Sequence, residues 1–139
     1  MSTSPISEPS SGKPWGAAPT PYEEIGGDET VRAIAEAFYD IIVAESPTLR
    51  AMLPEDTSGS RQKLYQFLSG WMGGPPLYWE AHGHPRLRLR HVPFPIDDAA
   101  AAEWARCMRQ AIGSVEMGEQ AAAFLGQQLS TAASTLINR

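Results

Sequence analysis

Arg86-Leu87-Arg88-Leu89-Arg90-His91-Val92-Pro93-Phe94-Pro95-Ile96 is the stretch on which the reading of the whole chain turns. Its first residues alternate arginine with leucine, the period of a half-buried strand. Pro85 stands in front of it, Pro93 and Pro95 follow, and no other part of the chain gives a strand signal. A lone strand with prolines at its ends has nothing to pair with, so the stretch belongs to a longer irregular segment, residues 77–96. That segment carries all three histidines, His82, His84 and His91. A long structureless segment inside a small domain is usually functional, for instance because a large ligand fills the space of a missing helix.

On both sides of this segment the chain reads as helical. Downstream, Asp97 caps a long helix in which Trp104, Cys107, Met108, Ala111, Ile112 and Val115 share a face. Gly118 breaks it, and a last helix from about Glu119 places Leu125, Leu129, Ala132, Leu136 and Ile137 on one side. Upstream, Gly73-Gly74-Pro75-Pro76 stops a helix whose Leu64, Phe67, Leu68, Trp71 and Met72 recur at helical spacing. Before it lie a polar loop (55–60) and a short turn of helix (48–52). Val31, Ile34, Ala35, Phe38, Ile41 and Ile42 form the stripe of another long helix, which Asp28 is expected to cap and Ser46-Pro47 to end. A short helix at Tyr22-Glu23-Glu24-Ile25 precedes a Gly26-Gly27 turn. The expected fold is all-α, with four main helices, several short ones and one domain over residues 21–139.

Residues 1–20 hold four prolines, five serines and two glycines without apolar period, and read as a flexible tail. They lack the basic start and apolar run of a secretory signal, so a cytoplasmic location is expected. The 139 residues carry 11 Lys or Arg against 16 Asp or Glu, a formal charge of −5. That balance argues against nucleic acid or an acidic membrane surface as partner. No apolar run approaches the roughly 20 residues of a membrane span. The single cysteine, Cys107, excludes an internal disulfide and a Cys-rich zinc site, and reads as a small buried apolar residue.

Several separated motifs then coincide. They are Tyr22-Glu23-Glu24-Ile25-Gly26-Gly27, Phe38-Tyr39, Phe67-Leu68 with Trp71-Met72-Gly73-Gly74-Pro75, and Gly83-His84-Pro85-Arg86-Leu87-Arg88. Arg90-His91-Val92-Pro93-Phe94-Pro95-Ile96 and Glu103-Trp104 with Arg106-Cys107-Met108 complete the set. In this order the chain resembles the group II truncated haemoglobins over some 115 residues. The resemblance implies a two-over-two helical sandwich around haem b. It makes His91 the proximal iron ligand, a neutral imidazole whose other nitrogen is given to a backbone acceptor. It makes Tyr39 a distal donor to dioxygen and places the indole of Trp104 beside the same ligand. Leu53 falls at a distal corner that is commonly aromatic in the family, and Ser60 at the distal gate. Leu64, Phe67, Leu68, Phe94 and Met108 are expected near the haem, with Lys63, Arg90 and Tyr78 as rim candidates for its propionates. His82 and His84 form a His-x-His pair with no third ligand nearby, and loop hydrogen bonding is the simpler expectation for both.

The implied ligands are dioxygen, carbon monoxide and nitric oxide. Oxygen storage, nitric oxide dioxygenation, peroxidase-like chemistry and ligand sensing are all compatible with the motifs, and turnover requires an external electron donor. A haem-free interaction module on the same scaffold is the competing class, marked by loss of the iron ligand; His91 is present. Either a monomer or a homodimer accommodates the apolar faces of the last helices.

Overall fold

A computed structural model describes residues 13–138, which contain eight helices and no strand among the described residues. They are α1 (Pro21–Ile25), α2 (Asp28–Glu45), α3 (Pro47–Arg50), α4 (Ser58–Trp71), α5 (Leu77–His82), α6 (Leu87–His91), α7 (Asp98–Gly113) and α8 (Glu119–Ser134). α2 packs on α4, α7 packs on α8, and α2 also packs on α7, which joins the two pairs into a two-over-two sandwich. The core follows from the stripes. Val31, Ile34, Phe38 and Ile42 of α2 meet Leu68 and Met72, Cys107, Met108 and Ile112, and Leu125 and Leu129. All are buried, and each large apolar side chain so placed contributes roughly 1.5–3 kcal/mol relative to water.

The four long helices lie where the periodicity puts them. Thr20 caps α1 through its hydroxyl, which accepts from Glu23 N at 3.1 Å. Asp97 caps α7, its carboxylate accepting from Ala100 N at 2.8 Å. Two local expectations fail. Gly27, with φ of 78°, is the cap of α2, and Asp28 is its first helical residue. The Asp28 carboxylate is instead engaged by the Tyr65 hydroxyl of α4, a long-range partner no local pattern reveals. In α8, Ala133 rather than Ala132 is buried, and Leu136 and Ile137 lie beyond the helix end.

The larger correction concerns residues 77–96. This is not one irregular segment: α5 and α6 lie within it. α6 has five residues and none is buried, so no apolar period exists to be read. Arg86 starts it in the left-handed region, φ 47°, after Gly83 has turned the chain with φ of 79°.

Of the expected tail, residues 1–12 lie outside the described residues. Residues 13–20 are packed. The Trp15 ring meets Phe124 edge-on with centroids 5.4 Å apart, and Gln120 Nε2 donates to the carbonyls of Lys13 and Pro14 at 3.1 Å each. This short arm lies against α8 because its tryptophan finds an aromatic partner there.

The Gly73-Gly74 pair does more than end a helix. A Cβ on Gly74 would stand 2.4 Å from the Tyr22 ring. Without it, Tyr22 seats against the α4 terminus and its N–H donates to Met72 O at 3.0 Å.

Candidate functional site

One apolar pocket gathers residues from five segments. Phe38, Tyr39 and Ile42 come from α2, and Leu49, Met52 and Leu53 from α3 and the turn after it. His91, Phe94 and Ile96 come from α6 and the loop behind it, Ala100, Ala101 and Trp104 from α7, and Ala133 and Leu136 from the α8 end. The Phe38 ring organises the floor. Its centroid lies 5.1 Å from that of Tyr39 and 5.1 Å from that of Trp104.

His91 enters from the other wall. Its Nδ1 donates to the Leu87 carbonyl at 2.6 Å. This uses one ring nitrogen as a donor, fixes the tautomer and leaves Nε2 with its lone pair. The Phe94 ring lies beside it, centroids 6.2 Å apart.

Tyr39, partly buried against the core, brings a phenol to the pocket. Burial pushes its phenol up to about 12, and the Arg61 guanidinium offsets this only in part. No hydrogen bond relieves it among the described residues. A hydroxyl in this state is a desolvated donor without an acceptor, which is costly unless something else occupies the pocket. Arg61 itself bridges α4 to α2, its Nη1 lying 2.8 Å from Glu36 and 2.7 Å from Asp40. Its guanidinium sits 5.9 Å from the Tyr39 ring centre.

The donor set suits a haem. An imidazole with a free Nε2 faces the space, apolar walls surround it, and an unrelieved phenol stands within it. No cluster of His, Cys, Asp and Glu suited to a bare metal ion occurs among the described residues. His82 Nε2 bonds Gln66 Oε1 at 2.9 Å, and His84 Nδ1 accepts from Arg86 N at 3.0 Å.

Of the residues singled out from sequence, Tyr39, Leu53, His91, Phe94 and Trp104 line this pocket. Eight do not. Leu68 and Met108 are fully buried in the centre of the core, where they support the Phe38 floor. Leu64 and Phe67 are half-buried against that core. Lys63 is exposed and Ser60 half-buried in the first turns of α4. Tyr78 is buried beneath Arg90, whose guanidinium lies 5.8 Å from its ring. Arg90 is exposed and its Nε donates to Pro85 O at 2.8 Å.

Phe38 and Ile42 are pocket walls as well as core residues, which periodicity does not separate because core and pocket share one stripe of α2. Ala100, Ala101 and Ala133 leave room by being small; the run Ala99 to Ala102 was the available signal. Asn138 was missed entirely. It lies at the end of the chain and bonds the loop behind His91.

A helical sandwich enclosing a histidine-bearing apolar pocket is the globin class of architecture. Comparison with known proteins agrees. The family model described as bacterial-like globin matches residues 20–137, and the chain belongs to that family, in its group II truncated branch. It is 40% identical over 119 residues to group 2 truncated hemoglobin YjbI of Bacillus subtilis (strain 168), covering 86% of this chain and 89% of that one. The cold-adapted truncated hemoglobin of the Antarctic marine bacterium Pseudoalteromonas haloplanktis TAC125 superposes with a TM-score of 0.84 at 39% identity. That match covers 86% of this chain and 98% of the other. The truncated oxygen-avid haemoglobin from Bacillus subtilis gives 0.80 at 39%, covering 86% and 99%. The family implies a haem cofactor and binding of small gaseous ligands. Among the described residues no helix is long and apolar enough to cross a membrane.

Proposed function

We propose that the chain is a haem b protein that reversibly binds dioxygen, and also carbon monoxide and nitric oxide, with His91 as the iron ligand. The observation that carries this is the pairing of His91, its Nδ1 committed to Leu87 O, with the unrelieved Tyr39 phenol across one apolar pocket. A haem held there would supply an iron centre able to take diatomic ligands. The chain's residues do the rest. His91 Nε2 binds and orients the cofactor. Tyr39 Oη holds a proton ready to donate, and burial keeps that proton in place at all ordinary pH. The indole of Trp104 can only donate, so it favours a ligand with negative character. Leu53, Phe38 and Phe94 exclude water, which strengthens each hydrogen bond made inside.

At the rim, Lys63 and Arg90 offer cations for the propionates, with Tyr78 beneath Arg90 as a third contact. Leu68 and Met108 support the pocket floor from within the core with Leu64 and Phe67 packed against them, and Ser60, in the first turn of α4 outside the pocket wall, is assigned to the gate by resemblance to the family pattern. Storage is the role these groups favour, since donors that hold a ligand slow its release; the description of one relative as oxygen-avid supports this. Turnover of nitric oxide or peroxide calls for an external electron donor. A cytoplasmic setting for a domain over residues 21–139 suits the free thiol of Cys107. The test is the absorption spectrum of the ferrous protein. A histidine-ligated haem spectrum that shifts with carbon monoxide supports the proposal, and a protein that takes up no haem refutes it.

A further inference from the structure

The helix that carries His91 is weakly attached to the fold. None of the five residues of α6 is buried, and α6 has no substantial packing against another helix. Yet a metal ligand has to be held in a fixed orientation. The attachment comes from the far end of the chain. Asn138 N donates to Ile96 O at 2.7 Å, and Ile96 N donates back to Asn138 Oδ1 at 3.0 Å. The same side chain donates from Nδ2 to Phe94 O at 3.0 Å and to His91 O at 3.2 Å. Every hydrogen-bonding group of the amide is therefore used, all on the backbone of residues 91–96. The His91 carbonyl also accepts from Phe94 N at 3.0 Å, so both of its lone pairs are spent. His91 is held from two sides: its ring by Leu87 O within α6, its main chain by Asn138 from 47 residues away.

We infer that Asn138 is a positioning residue for the proximal ligand, a C-terminal clamp that sets the orientation of His91 and thereby cofactor retention. The inference rests on the reading of His91 as the haem ligand. An amide suits the task because one side chain offers both an acceptor and two donors. A carboxylate in its place keeps the acceptor for Ile96 N but loses both donors to His91 O and Phe94 O. The residue is exposed and outside the core, so its replacement is expected to leave the sandwich intact.

Asn138→Ala and Asn138→Asp separate these contributions, with Ser134→Ala as a neighbouring control whose hydroxyl bonds only Thr131 O of its own helix. In the haem-free protein, hydrogen exchange at Ile96 N–H is expected to accelerate in Asn138→Ala and to stay slower in Asn138→Asp. In the haem-loaded protein both variants are expected to shift the ferrous iron–histidine stretching band and to lose haem roughly tenfold faster, the usual scale for a lost support behind a metal ligand. The control is expected to match the unsubstituted chain in all three. The clamp is overturned if both Asn138 variants keep the unsubstituted band and haem-loss rate. If instead the unsubstituted protein itself shows no iron–histidine band, the reading of His91 fails, while the exchange result still reports whether Asn138 fastens the loop.

Discussion

His91 Nδ1 donates to the carbonyl oxygen of Leu87 at 2.6 Å, one helical turn back along α6. A five-residue helix with no buried side chain would be an odd investment for packing alone. Its geometry makes sense as a mount: the helix presents an acceptor at the right place for one ring nitrogen, and the other is turned to the pocket. Three further consequences of the architecture can be measured.

Tyr39→Phe separates function from stability. In the haem-loaded protein the loss of a preorganised donor is expected to speed dioxygen release at least tenfold, by the scale of about 2–4 kcal/mol for such donors. In the haem-free protein the same change removes a buried hydroxyl without a partner, so the melting temperature is expected to hold or to rise. Stopped-flow release and thermal melts read the two effects. A release rate equal to that of the unsubstituted protein would remove Tyr39 from the distal site.

Alkaline pH probes the same phenol. Its folded value is raised to about 12 from an ordinary 10.0. The unfolded chain therefore loses this proton first. Between pH 10 and about 12 the folded state binds the extra proton, so stability falls as pH rises, and below pH 10 the contribution is fully present. The loss is at most about 2–3 kcal/mol for a shift of this size. Urea melts of the haem-free protein from pH 9 to 12 are expected to show a steeper decline for the unsubstituted chain than for Tyr39→Phe. Parallel curves would mean that the phenol is not buried as described.

Ser46 is a buried junction between α2, α3 and α7. Its hydroxyl donates to Glu103 Oε2 at 3.1 Å and accepts from Leu49 N at 3.4 Å. The Arg106 guanidinium, 2.6 Å from Glu103, holds that carboxylate below the usual range. Ser46→Ala removes the α3 cap and is expected to cost about 1–2 kcal/mol, lowering the melting temperature by several degrees. Because Leu49 and Leu53 line the pocket, carbon monoxide rebinding should also change. An unaltered melting temperature would deny Ser46 its role as a cap.

Much of the fold was legible because its long helices carry continuous apolar stripes; Val31 to Ile42 and Trp104 to Ile112 could hardly be anything else. α6 was not, because Leu87 and Leu89 mimic a strand's alternation and no buried residue marks a helical turn. Its shape depends on Gly83, on Arg86 in the left-handed region and on Asn138 beyond α8, contacts that local patterns do not encode. The same holds for Asp28, which is the first residue of α2 rather than its cap and gives its carboxylate to Tyr65. At the pocket, His91, Tyr39 and Trp104 were found through motif resemblance, since Trp104 by periodicity alone is a core residue. Lys63, Ser60 and Leu64 came the same way, and α4 holds them outside the pocket that His91 lines. The excess of glycine and proline, which looks like weak foldability in the composition, lies partly in turns that geometry requires. At Gly74 a bare Cα admits Tyr22, and at Gly26, φ 111°, the chain reverses out of α1.

Ligation of a haem by His91 in this pocket can be read from the ferrous absorption spectrum of His91→Ala beside the unsubstituted protein. The unsubstituted protein is expected to hold one histidine-ligated haem per chain, shifted by carbon monoxide, and the variant either to fail to retain haem or to show an altered spectrum restored by added imidazole. A variant that keeps its haem with an unchanged spectrum would contradict ligation by His91.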